Sequence, residues 1–167
     1  AAILVERMTG YGIVGQCTVV VRWYLDLGSL MSVVRVLNEA QRFKLDPSDD
    51  ALFYNEPRFV LHLDSPFRER LTALYRQKLP PCAVVLDLMS SWVSHLPEDV
   101  IYDEVIGHGL NEEELKANSR LDRNWVQNLN KDQNLPLSDS SVDATLIVAG
   151  WQYLQQPQAI AAELLRI

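Results

Sequence analysis

Val84-Val85-Leu86-Asp87-Leu88-Met89-Ser90-Ser91-Trp92-Val93-Ser94-His95-Leu96 is the stretch on which the fold turns. From Val84 to Leu88 every position is apolar except Asp87, and the polar pair Ser90-Ser91 breaks the run before a second, helix-compatible segment. A short apolar run bounded by turn residues suits a strand buried on both faces. The reading is strand, turn, then a short helix running to Pro97. In an open α/β sheet, loop amides and a helix N-terminus converge on a ligand at the carboxyl end of such a strand. An acid placed there binds hydroxyl or amino groups.

Downstream, Tyr102 to Gly107 reads as a second, parallel strand, and Asn111 as the cap of a helix with Glu114 three residues on as its partner. Glu112, Glu113 and Glu114 suit the dipole of the first turn and read as a solvated face. Trp125 to Asn130 is a third strand and its exit; Leu135 to Val148 is a tight turn into a fourth strand ending near Gly150. Pro157 opens a last helix with Ile160, Ala161, Leu164 and Leu165 inward. Upstream, Ser65-Pro66 starts a helix whose stripe is Phe67, Leu71, Leu74, Tyr75 and Leu79, and Pro80-Pro81 ends it.

Residues 47–50 read as a polar linker that divides an N-terminal extension, residues 1–48, from the core, residues 49–167. Residues 1–15 show no sustained period and read as irregular. Gln16 to Leu25 is rich in β-branched and aromatic residues and predicts a strand. Leu30, Val33, Val34, Leu37 and Ala40 recur at helical spacing, so Ser29 is expected to cap a helix ending near Gln41.

The 167 residues suit one domain able to bury a core. The net charge of -7 is uneven: residues 1–80 carry 10 basic and 9 acidic side chains, residues 81–167 carry 5 and 13. The acidic second half argues against a nucleic-acid backbone as partner. Cys17 and Cys82 have no metal-ligand spacing and read as small buried hydrophobes in a reducing compartment. No run reaches a membrane span, so the expectation is a soluble protein, cytoplasmic or plastid or otherwise organellar, with no metal site.

These motifs together resemble the class I S-adenosylmethionine-dependent methyltransferases of the type 11 kind. The pattern Leu86-Asp87 with Ser90-Ser91-Trp92-Val93-Ser94-His95 is similar to plant and cyanobacterial methyltransferase-like proteins, as is Phe53 to Asp64 with its Pro57-Arg58-Phe59-Val60 and His62. Leu135-Pro136-Leu137, Asp139, Ser141 and Asp143 resemble the type 11 turn before the fourth strand. The resemblance covers residues 52–167 and implies a Rossmann-like three-layer α/β fold with a partial parallel sheet in the order 3-2-1-4; the N-terminal strand and helix expected from the residues of the 1–48 extension lie outside it. It also implies a sheet that stops short of the family's last three strands, leaving the outer edge of the fourth open. That edge demands a cover: the strand around Val19, a second copy of the chain, or a larger assembly.

By the same resemblance, S-adenosylmethionine lies across the ends of the first three strands. It would contact Asp87, Met89, Ser90 and Ser91, then Gly107, His108, Gly109 and Leu110, then Asn128, Leu129 and Asn130. In the family an Asp or Asn at the last place accepts the adenine amino group. His62, Gln152 and Tyr153 are the candidate substrate contacts. Two departures stand out: Met89 to Trp92 replace the usual glycine turn, and Gly109 stands where an acid usually holds the ribose. Two functions are therefore expected as alternatives. One is methyl transfer to an unknown acceptor, with no general base identifiable; the other is an inactive methyltransferase-like accessory subunit.

Overall fold

A parallel sheet covered on both faces needs apolar side chains on both sides of each strand. The computed structural model describes residues 2–6, 18–21, 38, 40–43, 46 and 48–167, and sets four parallel strands side by side, three of them buried and one an exposed edge. They are β3 (Val84–Asp87), β4 (Glu104–Gly109), β5 (Arg123–Val126) and β6 (Ala144–Val148). Numbered among themselves they lie in the expected order 3-2-1-4 and are all parallel, so the chain is of the α/β class. The register sets Leu86 between Ile106 and Thr145, and Asp87 between Gly107 and Leu146.

Alternation along each strand sorts the core into two layers. Val85, Val105, Ala144 and Leu146 face helix α2 (Ser65–Lys78), where they meet Leu71, Tyr75 and Leu79. Leu86, Ile106 and Ile147 face helix α4 (Pro157–Arg166), where they meet Ile160 and Leu164. Each fully buried Leu or Ile contributes about 1.5–3 kcal/mol relative to exposure, so these layers carry most of the folding free energy. Of the expected α2 stripe, Leu71, Tyr75 and Leu79 are buried and Phe67 and Leu74 half-buried. On α4, Leu165 is exposed rather than inward, because it sits one residue past the Ile160–Leu164 face.

The edges differ from expectation. Residues 2–6 are not irregular: Ala2–Glu6 forms strand β1, antiparallel to β6 along its whole length, from Ala2 opposite Val148 to Glu6 opposite Ala144. Strand β2 (Thr18–Val21) pairs in parallel with the outer side of β1. The edge of the fourth core strand is thus closed by the chain's own Ala-Ile-Leu-Val-Glu segment, and the strand around Val19 lies one place further out. A three-residue 3-10 turn covers Ala40–Arg42. Positions 29–37 and 39 of the helix expected to end near Gln41, the flanks of the expected strand and Cys17 lie outside the described residues.

Element boundaries shift where local chemistry competes with pattern. Asp64, not Ser65, caps α2, its carboxylate accepting the Phe67 N–H at 2.8 Å. Strand β4 begins two residues after Tyr102 and ends at Gly109, so Gly107, His108 and Gly109 are strand residues. Strand β5 starts at Arg123 and ends before Asn128. The helix expected between Ser90 and Pro97 does not form: residues 88–103 cross over as irregular chain. Met89 and His95 both sit in the left-handed region, at φ 60° and 54°, which no helix tolerates. Cys82, also left-handed at φ 61°, is exposed rather than buried.

Candidate functional site

The carboxyl ends of β3, β4 and β5 gather nearly all the residues proposed to hold a ligand. Asp87, the last residue of β3, is 4% exposed. Its Oδ2 accepts the Ser90 hydroxyl at 2.7 Å, and the Ser94 hydroxyl is a second partner. Burial raises its pKa to about 6 despite the two hydroxyls, which act in the opposite direction.

His108 organises the loop above it. The Met89 N–H donates to Nδ1 at 3.2 Å, which makes Nδ1 the acceptor and leaves Nε2–H to donate to the Gln127 carbonyl at 2.9 Å. The ring is therefore a neutral, fully satisfied tautomer that ties β4 to the loop after β3 and to the exit of β5. It is 2% exposed, and burial lowers its pKa to about 4. The Trp125 ring lies against it with centroids 5.0 Å apart.

The loop amides are occupied as well. The Ser90 N–H donates to the His108 carbonyl at 2.6 Å. A Cβ on Gly109 would lie 2.7 Å from the Ser90 carbonyl oxygen, and one on Gly150 would lie 2.9 Å from Met89 Cβ. The two glycines that flank the loop are thus seats for the loop itself. The glycine at 107 faces the core, where Leu121 Cδ1 lies 2.2 Å from a would-be Cβ. Leu129 belongs to the core cluster of Leu86 and Ile106, and Leu110 is half-buried.

The third group meets a cover. Helix α1 (Asp50–Phe53) and the segment that follows run across the strand ends as a strap, residues 49–60. Asp49 accepts the Asn128 side-chain amide at 3.0 Å and pairs with Lys131, and Asp50 accepts the Asn130 amide at 2.9 Å. The Tyr54 carbonyl accepts from Asn111 Nδ2 at 2.9 Å, the Arg58 N–H donates to Glu114 Oε1 at 2.7 Å, and the Val60 carbonyl accepts from Trp92 Nε1 at 3.0 Å. The strap is bonded in turn to the end of β5, to helix α3 (Glu112–Ala117) and to the loop after β3.

Both Asn side chains have a fixed sense. Asn128 Oδ1 accepts the Asn130 backbone N–H at 2.9 Å, and Asn130 Oδ1 accepts the Gln155 backbone N–H at 2.8 Å. A backbone N–H can only donate, so the oxygens point inward and the NH₂ groups outward. An adenine amino group, itself a donor, would meet donors here. The Met89 and Ser90 amides are likewise taken within the chain.

Of the candidate substrate contacts, Tyr153 is exposed while its backbone carbonyl accepts from Asn130 Nδ2 at 3.0 Å. Gln152 is exposed and donates to the Ala149 carbonyl at 2.7 Å. His62 is exposed, and none of the hydrogen bonds that assemble the site involves it.

The residue that pattern reading passed over is Glu114. Asn111 does cap α3, its Oδ1 accepting the Glu114 N–H at 3.0 Å. The Glu114 side chain, however, does not join a solvated face. It is 5% exposed, and its second oxygen accepts the Ser91 hydroxyl at 2.6 Å. Asn118, 3% exposed, continues the network to the Ser91 carbonyl at 3.0 Å and Ser94 Oγ at 2.8 Å. A chain of hydrogen bonds therefore runs from Asp87 through Ser94, Asn118, Ser91 and Glu114 to the strap. The capping-box spacing could have flagged Glu114, but it predicts a side chain turned back to its own helix.

Fold and site together define an α/β domain whose strand ends are closed by its own loop and strap. The chain matches no protein-family model, no curated protein and no solved structure. No helix among the described residues is long and apolar enough to cross a membrane.

Proposed function

We propose that the chain is a class I S-adenosylmethionine-dependent methyltransferase-like domain, Rossmann-like in plan, that serves in its closed form as a non-catalytic accessory unit. The observation that carries this reading is the internal saturation of the ligand end. His108 takes the Met89 and Ser90 amides, and the Asn128 and Asn130 amides face the strap with their donors. A nucleotide at these strand ends has to displace both loop and strap, which together bury the polar groups it would use. The accessory role also accords with the departures from the glycine turn and the ribose acid.

A second reading, methyl transfer from S-adenosylmethionine to an unidentified small-molecule or protein acceptor, is favoured by one observation. Asp87 stands at the carboxyl end of the inner strand of a 3-2-1-4 parallel sheet, the position of the family's first acid. Calorimetric titration of the chain with S-adenosylmethionine and S-adenosylhomocysteine separates the two. The accessory reading expects no binding heat from folded protein. Micromolar binding that Asp87→Ala abolishes would reject it, keep the enzyme reading and fix the site at the end of the first core strand.

A further inference from the structure

The turn after β5 presents three side-chain donors to one place. Asn128 Nδ2, Asn130 Nδ2 and Lys131 Nζ all point at the carboxylates of Asp49 and Asp50. Neither amide can be reversed, because each oxygen is held by a backbone N–H. The turn is rigid in its own right: the Lys131 and Asp132 N–H groups donate to the Asn128 carbonyl at 2.9 and 3.0 Å. Two neutral donors, each oriented by a backbone N–H, and the exposed Lys131 cation beside them, on a turn whose backbone is bonded within itself, are complementary to an oxyanion. Lys131 and the Ala51 N–H hold the Asp49 carboxyl below its ordinary pKa, as expected of an anion in such a cradle.

We propose that the turn of residues 128–131 is an oxyanion site, which the strap's own Asp49 and Asp50 occupy in place of a ligand carboxylate or phosphate. The strap is then a displaceable plug. Beyond Asp49 and Asp50 the strap is held by the Asn111–Tyr54, Arg58–Glu114 and Trp92–Val60 hydrogen bonds, so an anionic ligand that evicts the two aspartates frees the first end while those bonds hold the rest. The inference goes beyond the accessory reading and does not depend on it, since the ligand contacts are those of Asn128, Asn130 and Lys131 alone.

The test is a titration followed by the side-chain amide NMR signals of Asn128 and Asn130, with inorganic phosphate and with acetate in separate arms, chloride holding the ionic strength constant. The wild-type chain is compared with Asp49→Asn/Asp50→Asn, which removes the competing charges. Saturable shifts are expected in the double variant at a Kd about tenfold or more below that of wild type, equivalent to about 1.4 kcal/mol. Adding Lys131→Met should weaken binding about tenfold again. Phosphate and acetate arms distinguish a phosphate ligand from a carboxylate one, and saturation by either supports the site. Shifts that match the chloride control in both arms, or binding indifferent to Lys131→Met, overturn it. Spectral dispersion reports folding directly, and if the double variant collapses, Asp49→Asn alone carries the same comparison. The titrants hold neither adenine nor sulfonium, so this result is independent of the cofactor titration.

Discussion

Asp87→Asn should stabilise the protein at neutral pH while exposing a pH dependence that the wild type conceals. The Asp87 carboxyl rises from 3.8 to about 6 on folding because burial disfavours its charge. A raised acid contributes fully below its unfolded pKa and loses that contribution as pH climbs through the folded one. At about 1.4 kcal/mol per unit, the charged carboxylate therefore costs about 3 kcal/mol above pH 6. His108 works in the other direction. Its pKa falls from 6.5 to about 4, so the unfolded chain takes up the proton first and stability is lost as pH drops through that window. The size is again about 3 kcal/mol. The two effects nearly cancel in the wild type, whose stability from these groups should be almost flat between about pH 4 and 6.5.

The asparagine keeps the shape and lets the Ser90 and Ser94 hydroxyls rotate to suit an amide, so the His108 slope alone should remain. Urea unfolding read by tryptophan fluorescence gives the measurement. The variant should match the wild type near pH 4 and exceed it by up to about 3 kcal/mol near pH 7, the difference growing across the interval. Exposed carboxylates, common to both proteins, drop out of that difference. A gap that stays constant with pH within about 0.5 kcal/mol would refute the assignment of a buried, charge-penalised Asp87.

Two further outcomes follow from the packing. Gly109→Ala drives a Cβ onto the Ser90 carbonyl oxygen, which is backbone, whereas Gly107→Ala meets the side chain of Leu121, its methyls first, which can turn away. The first should cost about 1–3 kcal/mol in thermal unfolding and the second distinctly less; equal costs would show that the loop does not rest on Gly109. Glu114→Ala should cost about 1–3 kcal/mol by leaving the Ser91 hydroxyl and Arg58 N–H without their acceptor, and should speed hydrogen exchange at the Arg58 amide. Unchanged exchange there would separate the strap from Glu114.

The central sheet was legible because burial on both faces writes itself into composition: Val84 to Leu86, Val105-Ile106 and Leu146 to Val148 are short apolar runs without helical spacing. The α2 stripe and the Asn111 cap were equally local, a matter of spacing along one element. Contacts across the chain were not legible in this way. The Ala2–Glu6 run sits in a stretch without sustained period, and pairing with β6 on one side and β2 on the other makes it a strand. The region after Asp87 has residues a helix accepts, yet Met89 takes left-handed backbone where His108 and Gly109, some 20 positions on, fix the loop.

Sequence alone determined the chemistry assembled at the strand ends, since the ends of parallel strands must lie side by side once the order is set. What each group does there was decided by tertiary structure. Asn128 and Asn130 are acceptors or donors according to which backbone N–H reaches their oxygens. Glu114 is a surface acid or a buried anchor according to whether Ser91 and Arg58 arrive. Such choices rest on partners up to 80 residues away, as between Asn130 and Asp50, and a hydrogen bond has no period to leave in the chain.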